Sequence, residues 1–315
     1  MKVPETLIAP LLIPFAGLSS NFSGSSEANR SIAAAPTYSF SAPAATASSH
    51  HHHHHHHRER AKTHLGLEAG DTRHAAQRSE DCPASPVLSC STQAQSTSSC
   101  CVIRPGGVLV HAQFWDVGYG VANSWGIHGL WPDLCNNKYY ESCDSSRDYS
   151  GSQIASALQS AGDESLYEYM NTYWVSNDES PEDFWAHEWS THGTCVSTLE
   201  PSCFASYTTG QEVVPYFSTV VGLFKQLDTY NALAAAGITP SSDETYSLDD
   251  MQNAVEKATG MVPDFTCSDG TVTTVMYYLN AEGPLQDGQF VQSHASRSSS
   301  CPSDGITYPV KTVGN

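Results

Sequence analysis

Residues 181–195 read PEDFWAHEWSTHGTC, and the geometry this string implies organises the rest of the chain. Ser180 supplies a capping hydroxyl, Pro181 suits the first helical position, and Glu182 and Asp183 face the positive end of the helix dipole. Gly193 offers the matching stop. At about 100° per residue, His187, Glu188, Thr191 and His192 fall within roughly 140° of arc, so two imidazoles and a carboxylate share one face. Phe184 lies on that face too, while Trp185 and Trp189 stack one turn apart at its side and are placed to anchor the helix in a core.

Spacing separates the chemistries such a face could serve. A zinc-protease helix carries H-E-x-x-H, whose histidines stand about 40° apart and reach one metal together. Here the string is H-E-W-S-T-H, with histidines about 140° apart, which argues against a shared zinc. No metal and no other cofactor is expected. One such histidine alone reads as readily as a polar surface residue, so a second cluster elsewhere is needed to give the first a function.

Composition divides the chain. Of its 315 residues, those from 1 to 81 are rich in Ala, Ser, Thr and His, and all ten cysteines fall between Cys82 and Cys301. Residues 1–81 carry seven basic and seven acidic side chains, so the remaining 7 basic and 26 acidic residues hold the whole net charge of −19. That surface excludes a broad basic patch as the source of nucleic-acid affinity. A polyanionic substrate must be gripped locally, or at acid pH where carboxylates are neutralised.

Ten cysteines without a C-x-x-C pair suggest five disulfides in a secreted protein. The apolar run at 7–18, LIAPLLIPFAGL, is too short to span a bilayer and suits a signal peptide at 1–18, although two prolines and Glu5 make it atypical. No later stretch is long and apolar enough for a transmembrane helix, so no membrane association is expected. Residues 19–81 lack apolar periodicity and are expected to form a disordered leader. It contains candidate glycosylation acceptors at Asn21 and Asn29 and eight histidines from His50 to His57, read as a tag or low-complexity tract.

From residue 82 to 315, strands are expected at 108–114, 124–130 (broken by Trp131-Pro132-Asp133), 271–279 and 288–292. Helices are expected at 153–160, 165–173, 181–192, 216–236 with a break near Asp228, and 249–259. Strands and helices are interspersed without regular alternation, repeat or phosphate loop. The fold class is therefore α+β, a single domain with a mostly antiparallel central sheet flanked by helices and stapled by five disulfides.

The second cluster lies in WGIHGLWPD, residues 125–133. Strand alternation turns Trp125, Ile127 and Gly129 one way and His128 the other, toward a cleft. Trp131, Asp133 and Tyr139 form an aromatic and acidic set suited to stacking on a base and accepting its amino hydrogens; the weaker alternative makes Trp131 and Tyr139 core or rim aromatics. Two histidines permit a metal-free reaction. RNA is cleaved by its own 2′-hydroxyl when one group takes that proton, another protonates the leaving 5′-oxygen, and a donor steadies the phosphorane. Imidazoles near pH 6.5, one neutral and one charged, divide the first two tasks.

Residues 125–133 and 184–195 together resemble the two active-site segments of the ribonuclease T2 family, secreted acid endoribonucleases, and the likeness extends from Cys82 to about Lys311. It favours the fungal branch and implies the pairings Cys82–Cys101, Cys90–Cys135, Cys100–Cys203, Cys143–Cys195 and Cys267–Cys301. Carried over by position, it implies that His128 and His192 are the acid and base, with His192 as base. His187 resembles the phosphate-binding histidine, with Thr191 beside it, and Glu188 the carboxyl that stabilises the phosphorane. Trp131, Asp133 and Tyr139 resemble the primary base site; Gln113, Ser176, Asn177 and Phe184 resemble the second. The resemblance further implies a metal-independent, largely base-nonspecific enzyme acting on single-stranded RNA through a 2′,3′-cyclic phosphate to a 3′-phosphate. DNA is not an expected substrate, a monomer is expected, and the location is extracellular or, alternatively, a vacuole- or lysosome-like compartment.

One position departs from the pattern. Thr191 stands where the family usually has a lysine, and losing a donor of that kind typically costs about 10²- to 10³-fold in rate. Reduced activity is expected unless His187 or another cation substitutes. The same departure feeds the alternative, a catalytically weak secreted protein that keeps the fold and binds RNA or a protein partner.

Overall fold

The structure, a computed structural model, describes residues 64–66, 80–136, 138–293 and 299–313. The expected signal peptide, both glycosylation acceptors, the poly-His tract and most of the leader lie outside the described residues. Everything described belongs to the unit Glu59–Asn315, a single α+β domain. Its strands are β1 (His64–Gly66), β2 (Val108–Phe114), β3 (Gly126–Asp133), β4 (Thr245–Tyr246), β5 (Asp264–Ser268), β6 (Thr271–Glu282), β7 (Gln289–Gln292) and β8 (Ile306–Thr307). Between β3 and β5 come the helices α1 (Gly151–Ser160), α2 (Glu164–Tyr173), α3 (Pro181–Thr191), α4 (Val213–Gln226), α5 (Thr229–Ala235) and α6 (Leu248–Thr259).

The sheet runs β1-β7-β6-β2-β3, with β5 also on β6, and every pairing is antiparallel except the single contact of β6 with β8. The long β6 is its centre, with β2 along one edge and β5 then β7 along the other. Against the sheet lies α4, VVPYFSTVVGLFKQ, which buries 11 of its 14 residues. A helix apolar on nearly all sides belongs in the middle of the core. Polar links fasten it to the sheet: Tyr216 donates to the Leu130 carbonyl (3.0 Å), His111 Nε2 to that of Val220 (3.2 Å), and Gln113 Nε2 to that of Leu227 (2.9 Å).

Helix α3 begins as its sequence directs. Ser180 accepts from the Asp183 amide at 3.2 Å, Pro181 takes the first position, and two acids occupy the first turn. Trp185 and Trp189 are fully buried and donate to the carbonyls of Trp174 (2.8 Å) and Arg147 (2.7 Å). The helix ends one residue before the expected 192, with His192 as its cap. Gly193 follows for a reason other than a left-handed turn, because a Cβ there would overlap the Trp189 ring.

Other boundaries differ from the sequence reading for local reasons. β3 runs through Trp131-Pro132-Asp133 instead of breaking there, since it is the edge strand and Pro132 pairs only toward Leu109 of β2. The break near Asp228 is present: its carboxylate caps α5 by accepting from the Asn231 amide at 3.1 Å. β5 was not anticipated. It joins β6 through the two-residue turn Asp269-Gly270, with φ of 49° and 78°, the conformation that Asp-Gly favours. All five disulfides implied by the resemblance are formed, and no cysteine is free.

Part of the stretch expected to be a disordered leader is ordered. His64–Gly66 pair antiparallel with Gln289–Val291 on β7, Leu65 joins the main core at 7% exposure, and Gln226 donates to the Gly66 carbonyl at 2.8 Å. A single leucine supplies enough apolar surface to dock three residues whose backbone finds a free sheet edge. Leu65→Asp in the full-length chain is expected to release this strand and lower stability by about 1.5–3 kcal/mol. Denaturant midpoints and hydrogen exchange on β7 measure it; unchanged protection of 289–291 would show that Leu65 does not hold the strand.

Candidate active site

Strand β3 carries an irregularity that decides where its histidine points. Val110, His111 and Ala112 pair with Trp131, Leu130 and Gly129, but Gln113 then pairs with Ile127. His128 is thus the extra residue of a β-bulge, a device that re-aims a side chain. In a regular strand residues 128 and 131 would face opposite ways; here their rings stand 5.1 Å apart and nearly perpendicular. Simple alternation also set His128 across the strand from Gly129, whereas the bulge turns both toward the same cleft. Phe114 and Phe184 complete the walls, each 5.8 Å from the His128 ring.

Helix α3 brings the other groups. With Trp185 and Trp189 turned into the core, Phe184, His187 and Glu188 face β3. Glu188 is 1% exposed; its Oε1 lies 3.6 Å from His128 Nε2 and its Oε2 accepts from Trp131 Nε1 at 3.1 Å. His192 stands against the same indole, ring centroids 5.3 Å apart. The far end of the helix is held from outside: Ser142 donates its amide to the Thr191 carbonyl (2.7 Å), Arg147 donates to that of Thr194 (2.6 Å), and Cys143–Cys195 closes the loop.

Burial governs the titration of this cluster. It lowers His128 to about 4, with His187 adding to the effect, and lowers His192 to about 3, with His128 and His187 adding. It raises Glu188 to about 8, against the opposing pull of the Trp131 hydrogen bond. The ordinary value of 6.5 expected from the sequence therefore does not hold for either imidazole, because aromatic walls desolvate them. The His192 Nδ1 is buried without a hydrogen-bond partner.

His128, Phe184, His187 and Glu188 share a cavity of about 650 Å³ with Ser176 and Asn177, and Trp131 links the buried Glu188 to His192 beside it. Gln113 is turned away from the cleft. It is fully buried on the opposite face of the sheet, donating to Leu227 and accepting from Thr229 (2.7 Å), because β2 alternation turns Gln113 toward α4 and its neighbour Phe114 toward the cleft. Phe114 is a cleft residue beyond those the sequence reading names, although the VLVHAQF alternation contains it. Asp133 is buried at the end of β3, Tyr139 is exposed in the loop beyond, and Thr191 closes α3. The cavity also presents Asp116, Asp178 and Glu179 but, among its lining, no lysine or arginine. Among the described residues no three His, Cys, Asp or Glu side chains are grouped to hold a metal ion, and no helix is long and apolar enough to cross a membrane.

Residues 88–292 match the family described as the Ribonuclease T2 family. Ribonuclease M of Aspergillus phoenicis is 43% identical over 238 residues, covering 74% of this chain and 98% of that protein. Ribonuclease Trv of Hypocrea rufa is 42% identical over 236 residues, covering 74% and 100%. The crystal structure of Actibind, a T2 ribonuclease, superposes with a TM-score of 0.69 at 42% identity, covering 75% of this chain and 99% of that one.

Proposed function

This chain belongs to the ribonuclease T2 family and is an endoribonuclease, and on that premise we propose that it cleaves single-stranded RNA without a metal, through a 2′,3′-cyclic phosphate, using His128 and His192 as its proton-transfer pair. One observation carries the reading: imidazoles from two separate elements stand against one indole, Trp131, with Glu188 between the elements. In the first step His192 takes the 2′-hydroxyl proton, the 2′-oxygen bonds to phosphorus, and the bond to the 5′-oxygen breaks as His128 gives that oxygen a proton. Hydrolysis of the cyclic phosphate reverses the roles and yields a 3′-phosphate. Glu188 and His187 stabilise the phosphorane oxygens, the protonated carboxyl as a donor. DNA lacks the 2′-nucleophile and is not cleaved.

Trp131, Asp133 and Tyr139 take the first base, and Phe184, Ser176 and Asn177, with Phe114, take the second; contact by stacking favours low base selectivity. The five disulfides and the apolar start support export, to the exterior or to a vacuole-like compartment. The acidic cavity and Thr191 favour a second reading, a weakly catalytic protein that binds RNA or a protein partner. Incubation with RNA at about pH 4–6 in EDTA, beside a His128→Ala control, separates them. Cleavage that resists EDTA and disappears in the control supports the enzyme; binding without cleavage supports the alternative; loss in EDTA would implicate a metal.

The pH dependence follows from the shifted groups. An acid catalyst must carry a proton, and in the empty cleft that form predominates only below about 4 for His128. A bound phosphate anion favours the charged imidazole, so kcat should persist to higher pH than kcat/KM, which reports the free enzyme. The optimum is expected between about pH 4 and 6, with kcat/KM at least about tenfold lower at pH 7.5. Measured pH–rate profiles test this, and an optimum above about pH 8 would contradict it.

A further inference from the structure

We infer that Gly129 and Trp131 are positioning residues for Glu188, one supplying the berth for its carboxyl and the other the hydrogen bond that fixes its rotation. The inference deepens the nuclease reading and rests on it only for the role of Glu188. The berth is steric. A Cβ at position 129 would overlap Glu188 Oε2 and lie 2.8 Å from Cδ, so the carboxyl occupies the volume that any other residue's side chain would fill. Residues 129 and 131 are two apart on one face of β3, and the Trp131 indole therefore stands beside the berth, its Nε1 3.1 Å from the same oxygen.

The consequence is orientation. The terminal torsion of a glutamate is broad and nearly two-fold, so a free carboxyl would present either oxygen to the cleft. Anchoring Oε2 on the indole leaves Oε1 toward His128 Nε2 at 3.6 Å. A hydrogen bond to the ionised form also holds Glu188 below the value that burial alone would give it. Trp131 then performs two tasks with two parts of one ring, its face against a base and its N–H edge against the carboxyl. Docking a base on the face steadies the edge, which ties base binding to turnover as well as to affinity.

Trp131→Phe keeps an aromatic face and removes the N–H. The expected result is a fall in kcat of about 10- to 100-fold, KM for a dinucleoside monophosphate within about twofold, and an upward displacement of the Glu188 carboxyl titration, followed by carbon NMR in RNA-free protein. A platform serving only the base would raise KM and leave kcat and that titration where they were, which would overturn the assignment. Gly129→Ala is expected to lose kcat similarly, and adding Glu188→Asp, one methylene shorter, should recover part of the loss by withdrawing the carboxyl from the new methyl group. A double variant no better than Gly129→Ala would remove Gly129 from the proposal. Because the titration is read without substrate, a protein that failed to cleave RNA would refute the nuclease reading while the displacement still decided the hydrogen bond.

Discussion

His128→Ala is expected to lower kcat/KM for RNA by about 10²- to 10⁴-fold at the acid optimum, with the fold retained. Truncation to alanine leaves the backbone of the bulge unchanged, and the lost imidazole faces the cleft and not the core. What disappears is the neighbour of Glu188 Oε1 and, on the proposed mechanism, the donor for the leaving 5′-oxygen. His192→Ala should cost a comparable factor, and the double variant little more than the worse single one, because two groups that move protons in a single displacement act as a unit. Steady-state kinetics on a dinucleotide, with EDTA present and a thermal melt as folding control, make the comparison. If His128→Ala retained activity within threefold, the proton donor would have to be sought elsewhere in the cleft.

The prediction draws on both halves of the site, and the two differ in how far the amino-acid sequence discloses them. Helix α3 was legible almost to the residue because its signals are local: a serine cap, a proline at the first position, acids in the first turn and tryptophans at one-turn spacing. The hairpin at Asp269-Gly270 carries an equally local signal, an Asp-Gly pair between β5 and β6, yet the sequence reading places no strand before residue 271. The cleft face of the sheet was less legible. A bulge changes the face of every residue on one side of it, and whether it occurs depends on the neighbouring strand, so alternation alone aimed His128 usefully but separated it wrongly from Gly129. Gln113 and Phe114 show the same limit. One residue of register decides which enters the cleft, and only the packing of α4 against β2 settles that. The cysteine pairings came from the resemblance, since ten half-cystines allow many connectivities. The strand at His64–Gly66 has no local sequence signal, because it is three residues long and draws its order from an edge far away in the chain.

Charge is the other constraint on turnover. The folded part has few cations, and two of them are committed to structure. Arg147 is buried against Asp144 at 2.7 Å and the carbonyls of Leu199 and Thr194, bracing the end of α3. Lys311 donates to the Tyr119 carbonyl at 3.1 Å and lies 4.5 Å from the Trp115 ring, and burial lowers it to about 8. Neither belongs to the cavity lining, where Asp116, Asp178 and Glu179 oppose a polyanion. On the proposed mechanism, phosphate stabilisation therefore falls to imidazoles and a carboxyl donor, which function best in acid.

Thr191→Lys is accordingly expected to raise kcat, by up to the 10²- to 10³-fold that a missing transition-state donor typically costs. Position 191 lies one turn beyond His187 on α3, about 40° round the helix, and its backbone is pinned by the Ser142 amide, so a longer side chain starts from a fixed point. A lysine reaching the phosphate would place its charge where negative charge grows in the phosphorane. The same charge would disfavour protonation of His128 and His192, moving their titration further down and the optimum to lower pH. The gain must therefore be measured at each variant's own optimum, because at a fixed pH near neutrality the two effects would partly cancel. Thr191→Met, of similar length without charge, should leave kcat near that of the parent. A lysine variant whose kcat at its own optimum equalled the threonine protein's would show that His187 and Glu188 already supply what the phosphorane needs, and that position 191 does not limit the reaction.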